Sequence, residues 1–558
     1  MSGRHRTAGE RARGRTSLVF VAILALIGVT AVTVRIVSAG AGGCSGSIPV
    51  RVVTSPEITD AVTEVATAWS ATRPQVGGEC VDLTIEAMPS ATVASSLTVF
   101  AGRAIDTAAA PEPTPSEDTL PTVWIPDSAA WVNRVEVVDR AAFVDDLRSI
   151  ASSPVVVAMP EQAAQQVGWP APLPVAAVKG MLGQGLKLGV AEPRRETASL
   201  AATMILGEAL ASTDEDLPAL VQTFRAVAKT ASTDELLQIL GTQATAGPAS
   251  EQAVLAHNAS SPAVPLVAVQ LDPGAGQLDY PYAIRSGVSR PTEQAAELFR
   301  AELLGDGAAA ALAAKGFRGV DGTVGPGFPS TEATDLQAFS GRAIDDIAAV
   351  QRALGLWSAA NSPSRTLALF DVTSSMGTPI GAGAATRSSV MVAAAQGGLA
   401  LFTKESRIGM WAFGAEHQEV LPIADLTTEH QTEMNQRMAG ARPSASNQSA
   451  LYSTLQAAYQ LMRDGYDPTR PNIIIVLTDG GDSDAAPLRL EQFNQDMQKL
   501  VDPTKPIRVV LIGISVGAAD AENLQAIADI VGGGFFPLTS PEQIQTIFLK
   551  ALLRVGAA

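Results

Sequence analysis

The chain has 558 residues, 46% of them hydrophobic and 17% charged, which suits buried globular cores and is more than one ordinary domain needs. Its formal net charge is −17, although the first sixteen residues carry five Arg against one Glu. So acidic a body argues against a nucleic-acid binder, which depends on clustered Lys and Arg.

At the N-terminus, Arg4, Arg6, Arg11, Arg13 and Arg15 precede an uncharged run from Ser17 to Val34, with Arg35 at its far end. The run reaches Val37 if Arg35 snorkels toward the headgroups. About twenty residues, at roughly 1.5 Å each, cross a bilayer core. The sequence therefore predicts a basic cytoplasmic tail over 1–16, a transmembrane anchor over 17–37, and an extracytoplasmic remainder in a single-pass cell-membrane protein. A cleaved signal peptide ending at Val37-Ser38-Ala39 is the rival, disfavoured by the length of the apolar run. Lipid attachment at Cys44 is disfavoured too, because Ala41-Gly42-Gly43 lacks an aliphatic residue three positions before it. Cys44 and Cys80 are the only cysteines, and in an exported segment they predict one disulfide.

From Ile48 to about Arg318, short apolar runs such as Val50-Arg51-Val52-Val53 and Val155-Val156-Val157-Ala158 alternate with Ala-rich amphipathic stretches. That alternation predicts an α/β unit with a parallel or mixed sheet. Residues 44–320 resemble the type 2 periplasmic solute-binding fold, two α/β lobes joined at a hinge. The resemblance rests on Val52-Val53-Thr54-Ser55-Pro56-Glu57, Val123-Trp124-Ile125-Pro126-Asp127-Ser128, Leu278-Asp279-Tyr280-Pro281-Tyr282-Ala283 and Lys315-Gly316-Phe317-Arg318. It implies a small solute or anion held at helix N-termini, where free N–H groups favour negative charge. Ser55, Asp127, Ser128, Thr197 and Ser199 are the candidate ligand residues, with helix capping as the plainer reading of the hydroxyls. Tyr280 and Tyr282 read as packing.

Residues 321–363 are expected to be a linker, rich in Gly, Pro, Ser and Thr over 323–335, followed by a bridging helix over 340–360. Residues 364–558 then predict a doubly wound α/β domain with strands at 366–370, 408–413, 473–477, 507–512 and 535–538. Helices are expected at 389–403, 451–462, 521–530 and 541–553. The strand Leu367-Ala368-Leu369-Phe370 ends on Asp371-Val372-Thr373-Ser374-Ser375, and Ile473-Ile474-Ile475-Val476-Leu477 ends on Thr478-Asp479-Gly480. Strand-end aspartates in an open α/β sheet point into one crevice. Carboxylates and hydroxyls without nearby His or Cys suit a hard cation.

This unit resembles a von Willebrand factor type A (VWA) domain with its metal-ion-dependent adhesion site, Asp-x-Ser-x-Ser followed by a Thr and then an Asp. Here Asp371-x-Thr373-x-Ser375 is the first part, Ser449 in Asn447-Gln448-Ser449-Ala450 stands for the threonine, and Asp479 is the third. The resemblance implies a divalent cation, Mg²⁺ before Mn²⁺ or Ca²⁺, contacted by Thr373, Ser375 and Ser449 and held through water by Asp371 and Asp479. It further implies a protein partner whose acidic side chain completes the coordination.

Gly513-Ile514-Ser515-Val516-Gly517 matches a nucleophile elbow, but that chemistry needs a later histidine and none follows His430. The expectation is a membrane-anchored extracytoplasmic binding or adhesion protein and not an enzyme. The alternative is a receptor delivering a solute to an ABC-type permease.

Overall fold

The structure is a computed structural model that describes residues 33–36, 44–108, 115–211, 213, 216–329, 337, 339, 341–380, 385–480, 490–502, 505–538 and, beyond these, 540, 543, 544, 546, 547, 549 and 550. The tail expected over 1–16 and most of the anchor expected over 17–37 lie outside these residues. The described part of that anchor is a correction. Thr33–Ile36 is a β-strand paired antiparallel with residues 83–86, not the end of a helix. Three of its four residues are β-branched, which suits a pleated sheet. Among the described residues no helix is long and apolar enough to cross a membrane.

The first unit has two lobes. In the first, the sheet runs Thr33–Ile36, Glu79–Ala87, Ser47–Thr54, Val123–Ile125, Pro281–Ile284 and Arg148–Ser149, with Gln75–Val76 turning back on Glu79–Ala87. Ser47–Thr54 lies parallel to both of its neighbours, so its C-terminal end opens beside that of Val123–Ile125. Helix Thr59–Ala71 covers the sheet and sets Trp69 against Phe299 of helix Arg290–Leu303, ring centroids 5.2 Å apart and tilted by 36°. Cys44 and Cys80 form the expected disulfide; Cys80 pairs in register with Ser47, so the bridge ties down the entry of that strand. In the second lobe, Ser153–Pro160 is flanked antiparallel by Gly247–Ser250 and Leu266–Val269. Gly189–Ala191 pairs separately with Ala228–Thr230 and leads to helix Thr197–Leu210.

The bridging helix expected over 340–360 spans Ile347–Asn361. It is capped by Asp346, whose Oδ1 accepts from the Ala348 and Ala349 N–H groups at 3.0 and 3.1 Å. Its apolar face joins the units. Leu356, Trp357 and Ala360 share one core with Leu220 and Phe224 of the second lobe and with Leu399 and Ile473 of the last unit. Trp357 and Phe224 lie 5.7 Å apart, and Arg225 donates to the carbonyls of Ala360 and Leu401.

The last unit is a six-stranded sheet in the order His417–Asp425, Arg407–Phe413, Arg365–Asp371, Asn472–Thr478, Ile507–Ile514, Gly534–Leu538. All neighbours are parallel except the edge strand His417–Asp425. Each expected strand lies inside an observed one, because continuous apolar runs are what a sheet buried on both faces requires. Helix 389–403 is shorter than expected, Arg387–Leu399; helices 451–462 and 521–530 are Leu451–Asp464 and Ala518–Ile530. Of the helix expected over 541–553 only part is described, with Ile544, Ile547 and Leu549 buried. Strand order reverses between Arg365–Asp371 and Asn472–Thr478, and the crevice at that switch point is where such sheets place their ligands.

Candidate metal and ligand sites

Asp371 closes the first strand at the switch point and is 1% exposed. Its Oδ1 accepts from the Thr373 N–H at 2.9 Å and from the Thr373 hydroxyl at 2.6 Å, and its Oδ2 accepts from the Thr478 hydroxyl at 2.6 Å. Burial pushes its carboxyl above the ordinary value, against these hydrogen bonds, which pull it down. The Thr373 and Ser375 hydroxyls lie 2.9 Å apart, and Ser375 donates to Asp479 Oδ1 at 3.0 Å. Four of the five expected residues thus form one chain of short contacts.

Ser449, the fifth, is buried in the loop before helix Leu451–Asp464. Ser444 N–H donates to Val372 O at 2.6 Å and Ser374 N–H to Ser446 O at 2.8 Å, while Ala450 N–H donates to Gly414 O at 2.7 Å. These bonds dock the Ser449 loop on the strand ends that carry Asp371. The donor set, two carboxylates and hydroxyls with no nitrogen or sulfur, fits a hard cation. Among the described residues no group of three or more His, Cys, Asp or Glu side chains could hold a metal. A cation here would lean on hydroxyl and water oxygens.

One site residue was missed from the sequence. Arg387, at the start of helix Arg387–Leu399, donates from Nη1 to Asp479 Oδ2 at 2.7 Å and from Nη2 to the Ser515 carbonyl at 3.3 Å. Ser515 has φ +51° in the turn after Ile507–Ile514, and its carbonyl accepts from this arginine. Among the described residues no histidine bonds to Ser515. His257 and His430 contact the carbonyls of Val264 and Ile408, and His417 stacks on Trp411.

The other candidates lie where the two lobes meet, and their hydroxyls are used differently from one another. Ser128 is a helix cap: its Oγ accepts from Ala130 N–H at 3.2 Å. Thr197 caps nothing, and its hydroxyl accepts from Trp131 Nε1 across the lobes at 2.8 Å. Ser55 precedes a 3₁₀ turn with Pro56 at its first position, yet its hydroxyl makes no capping bond. The Ser55 and Ser199 hydroxyls and Asp127 Oδ1 are buried without hydrogen-bond partners.

Buried acids that no local sequence signal marks lie beside these residues. Tyr280 donates to Glu57 Oε1 at 3.3 Å and Tyr282 to Ala296 O at 2.8 Å, and both tyrosines are fully buried. Burial, and then the charge of Asp127, push the Glu57 carboxyl up to about 8. Burial pushes Glu196 up to about 7 and raises Asp127. Thr233 donates to Glu196 Oε2 at 2.7 Å. Among the described residues no guanidinium or ammonium group bonds to any of these three acids.

Residues 50–318 match the family described as bacterial extracellular solute-binding protein, and residues 369–550 match the von Willebrand factor type A domain. An uncharacterized protein of Mycobacterium tuberculosis (strain ATCC 25618 / H37Rv) is 27% identical over 589 aligned residues, covering 95% of this chain and 82% of the relative. Iron-bound HitA from Pseudomonas aeruginosa is 12% identical, covering 56% of this chain and 99% of that one, at a TM-score of 0.40. The sulfate-binding protein SubI from Mycobacterium tuberculosis H37Rv is 14% identical, covering 50% and 88%, at 0.35. A von Willebrand factor type A structure from Catenulispora acidiphila is 16% identical, covering 34% and 42%, at 0.28. The chain carries a bacterial extracellular solute-binding domain followed by a von Willebrand factor type A domain.

Proposed function

We propose that the protein is a membrane-anchored extracytoplasmic binding protein whose VWA domain captures an acidic side chain of a protein partner through a divalent cation. The observation that carries this reading is the contact chain Asp371–Thr373–Ser375–Asp479 at the switch point of the sheet. Asp371, Thr373, Ser375, Ser449 and Asp479 would hold the ion. A bound Mg²⁺ supplies an electrophilic position that a carboxylate can fill. Thr478 donates to the Asp371 carboxylate, and the loop that carries Ser449 hydrogen-bonds to Val372 and Ser374 beside it. No residue is assigned a catalytic role. Crosslinking pull-down from intact cells tests the reading: capture should fall after chelation and in Asp371→Ala, and capture indifferent to both sinks it.

A second reading has its own support. Three buried oxygens without partners, at Ser55, Ser199 and Asp127, face the problem that only a bound solute or water solves. The carboxyls of Glu57, Asp127 and Glu196, all raised by burial, can both donate and accept hydrogen bonds and favour an uncharged polyol, which the protein would deliver to a permease. Calorimetric titration with polyols tests this; silence toward them removes the reading.

A further inference from the structure

Between the two units lies a cavity of about 400 Å³ whose lining shares no residue with either site above. Its walls are residues 103–106 and the end of helix Ala129–Glu136 from the first unit, the outer face of the bridging helix, and the N-terminal ends of the VWA strands. Ser364, Pro471 and Arg508 represent those ends, opposite to the ends that carry Asp371 and Asp479.

The charge of this cavity is unusual for the chain. Its charged lining residues are Arg103, Arg134, Arg508 and Asp106, three cations to one anion in a protein of net charge −17. Arg134 is 8% exposed. Its Nη2 donates to the Asp106 carbonyl at 2.5 Å and its guanidinium lies 4.6 Å over the Trp131 ring, but Nη1 is buried without a hydrogen-bond partner. The Ser362 hydroxyl, on the same cavity, is likewise buried without a partner. The Asp106 carboxylate is already shared with Arg194 at 3.4 Å and the Ala108 N–H at 3.2 Å. Among the described residues, neither Arg103 nor Arg508 makes a side-chain hydrogen bond or ion pair. Burial lowers the pKa of Arg508, with Asp106 opposing.

A buried donor left unmatched costs about 1–3 kcal/mol, and more when it is charged. Here two such donors share one space with the guanidinium of Arg508, and Arg103, exposed to solvent, adds a third cation. Planar guanidinium forks match the oxygens of phosphate and carboxylate groups. The volume lies in the range of small-molecule sites, and Leu354 and Leu401 give it apolar walls beside the arginines.

We propose that this junction cavity binds an oxyanion of the phosphate class, free or as the head of a small organic phosphate. Arg134 Nη1 and Ser362 Oγ donate to its oxygens, and Arg103 and Arg508 neutralise its charge. Arg508 belongs to the VWA domain and Arg134 to the solute-binding unit, so the ligand fixes one against the other.

The test is calorimetric titration of the full chain with inorganic phosphate and, separately, glycerol 3-phosphate. Wild type should bind one equivalent saturably, and Arg103→Gln with Arg508→Gln should weaken binding at least tenfold while the thermal melt stays unchanged. Equal affinity for both probes supports the free anion, and tighter binding of the ester supports an organic phosphate. The proposal is overturned if neither probe saturates by roughly 10 mM, beyond the weakest binding such a site should show. It is also overturned if the double variant binds as tightly as wild type, which would place the anion elsewhere.

Discussion

Arg387 Nη1 sits 2.7 Å from Asp479 Oδ2, so the carboxylate that ends the second switch-point strand already has a cation from its own chain. The contact is mostly enclosed, with the Asp479 side chain 5% exposed and Arg387 25%. A divalent ion and the guanidinium compete for the same charge. Arg387 is therefore expected to set the affinity of the site, weakening cation binding until it swings away from Asp479. Replacing it with Gln should tighten Mn²⁺ binding at least tenfold, about 1.4 kcal/mol, read by calorimetry or by paramagnetic relaxation of water. Unchanged affinity in Arg387→Gln would show that the ion and the arginine use different faces of Asp479.

Asp371 plays a different part, because three protein donors already converge on it: the Thr373 N–H, the Thr373 hydroxyl and the Thr478 hydroxyl. Asp371→Ala should both abolish cation binding and lower stability, since the Thr478 hydroxyl loses its charged acceptor in a buried place, at about 1–3 kcal/mol. Asp371→Asn separates the two effects. It keeps an acceptor oxygen and most of the stability, but gives up the charge on which a hard cation depends. Denaturant titration with and without Mn²⁺ reads both quantities. A stable Asp371→Asn protein that still gains stability from Mn²⁺ would remove Asp371 from the ligand set.

The buried acids give a pH prediction whose sign follows from their direction of shift. Glu57 at about 8 and Glu196 at about 7 lie above the ordinary 4.5 of a glutamate, so the folded chain binds more protons than the unfolded one between those values. Stability from these groups is full below about pH 4.5 and is lost as pH rises through 7 and 8. The limiting slope is about 1.4 kcal/mol per pH unit for each group. The melting temperature should fall between pH 5 and pH 8.5, by roughly 2–4 °C for each kcal/mol. Glu57→Gln with Glu196→Gln should flatten that decline. General repulsion in an acidic chain would leave the decline in place, and that result would contradict the assignment.

What could be read from the sequence divides along physical lines. The strands ending on Asp371 and Asp479 were legible because a doubly covered strand must be apolar throughout, and the residue that follows it marks the crevice. Ser449 was legible from the order of the motif alone. The edge strand His417–Asp425 was not, because most of its side chains face water and show no alternation. Arg387 reads as a surface charge in sequence; only the structure shows that it meets Asp479, 92 residues on. Glu57 looks like an ordinary acid in the first turn of a helix, and nothing local reveals that Tyr280, 223 residues away, meets it. The Ser128 hydroxyl, expected to meet ligand, is used by its own helix, whereas Ser55 and Ser199 are left open. Capping and ligand binding draw on the same residue types, so only coordinates separate them.

The return of the chain to the first lobe is secured by one buried pair. Arg318 and Glu251 are 0% and 1% exposed in their side chains, and the guanidinium meets the carboxylate through two bonds of 2.6 and 2.9 Å. Nη1 donates as well to the carbonyls of Gly322 and Gln337 at 3.0 and 2.6 Å, so Arg318 also organises the start of the connector. Glu251 opens helix Glu251–Ala259 of the second lobe, and the pair therefore holds lobe to lobe. Removing one member strands the other charge in an apolar surrounding, at about 3–5 kcal/mol. Arg318→Met and Glu251→Gln should each lower the first unfolding transition in urea by an amount in that range. The double variant Arg318→Met with Glu251→Met should lose less than the sum of the two, because no unpaired charge remains. Additive losses would mean that Arg318 acts through the connector carbonyls and not through Glu251.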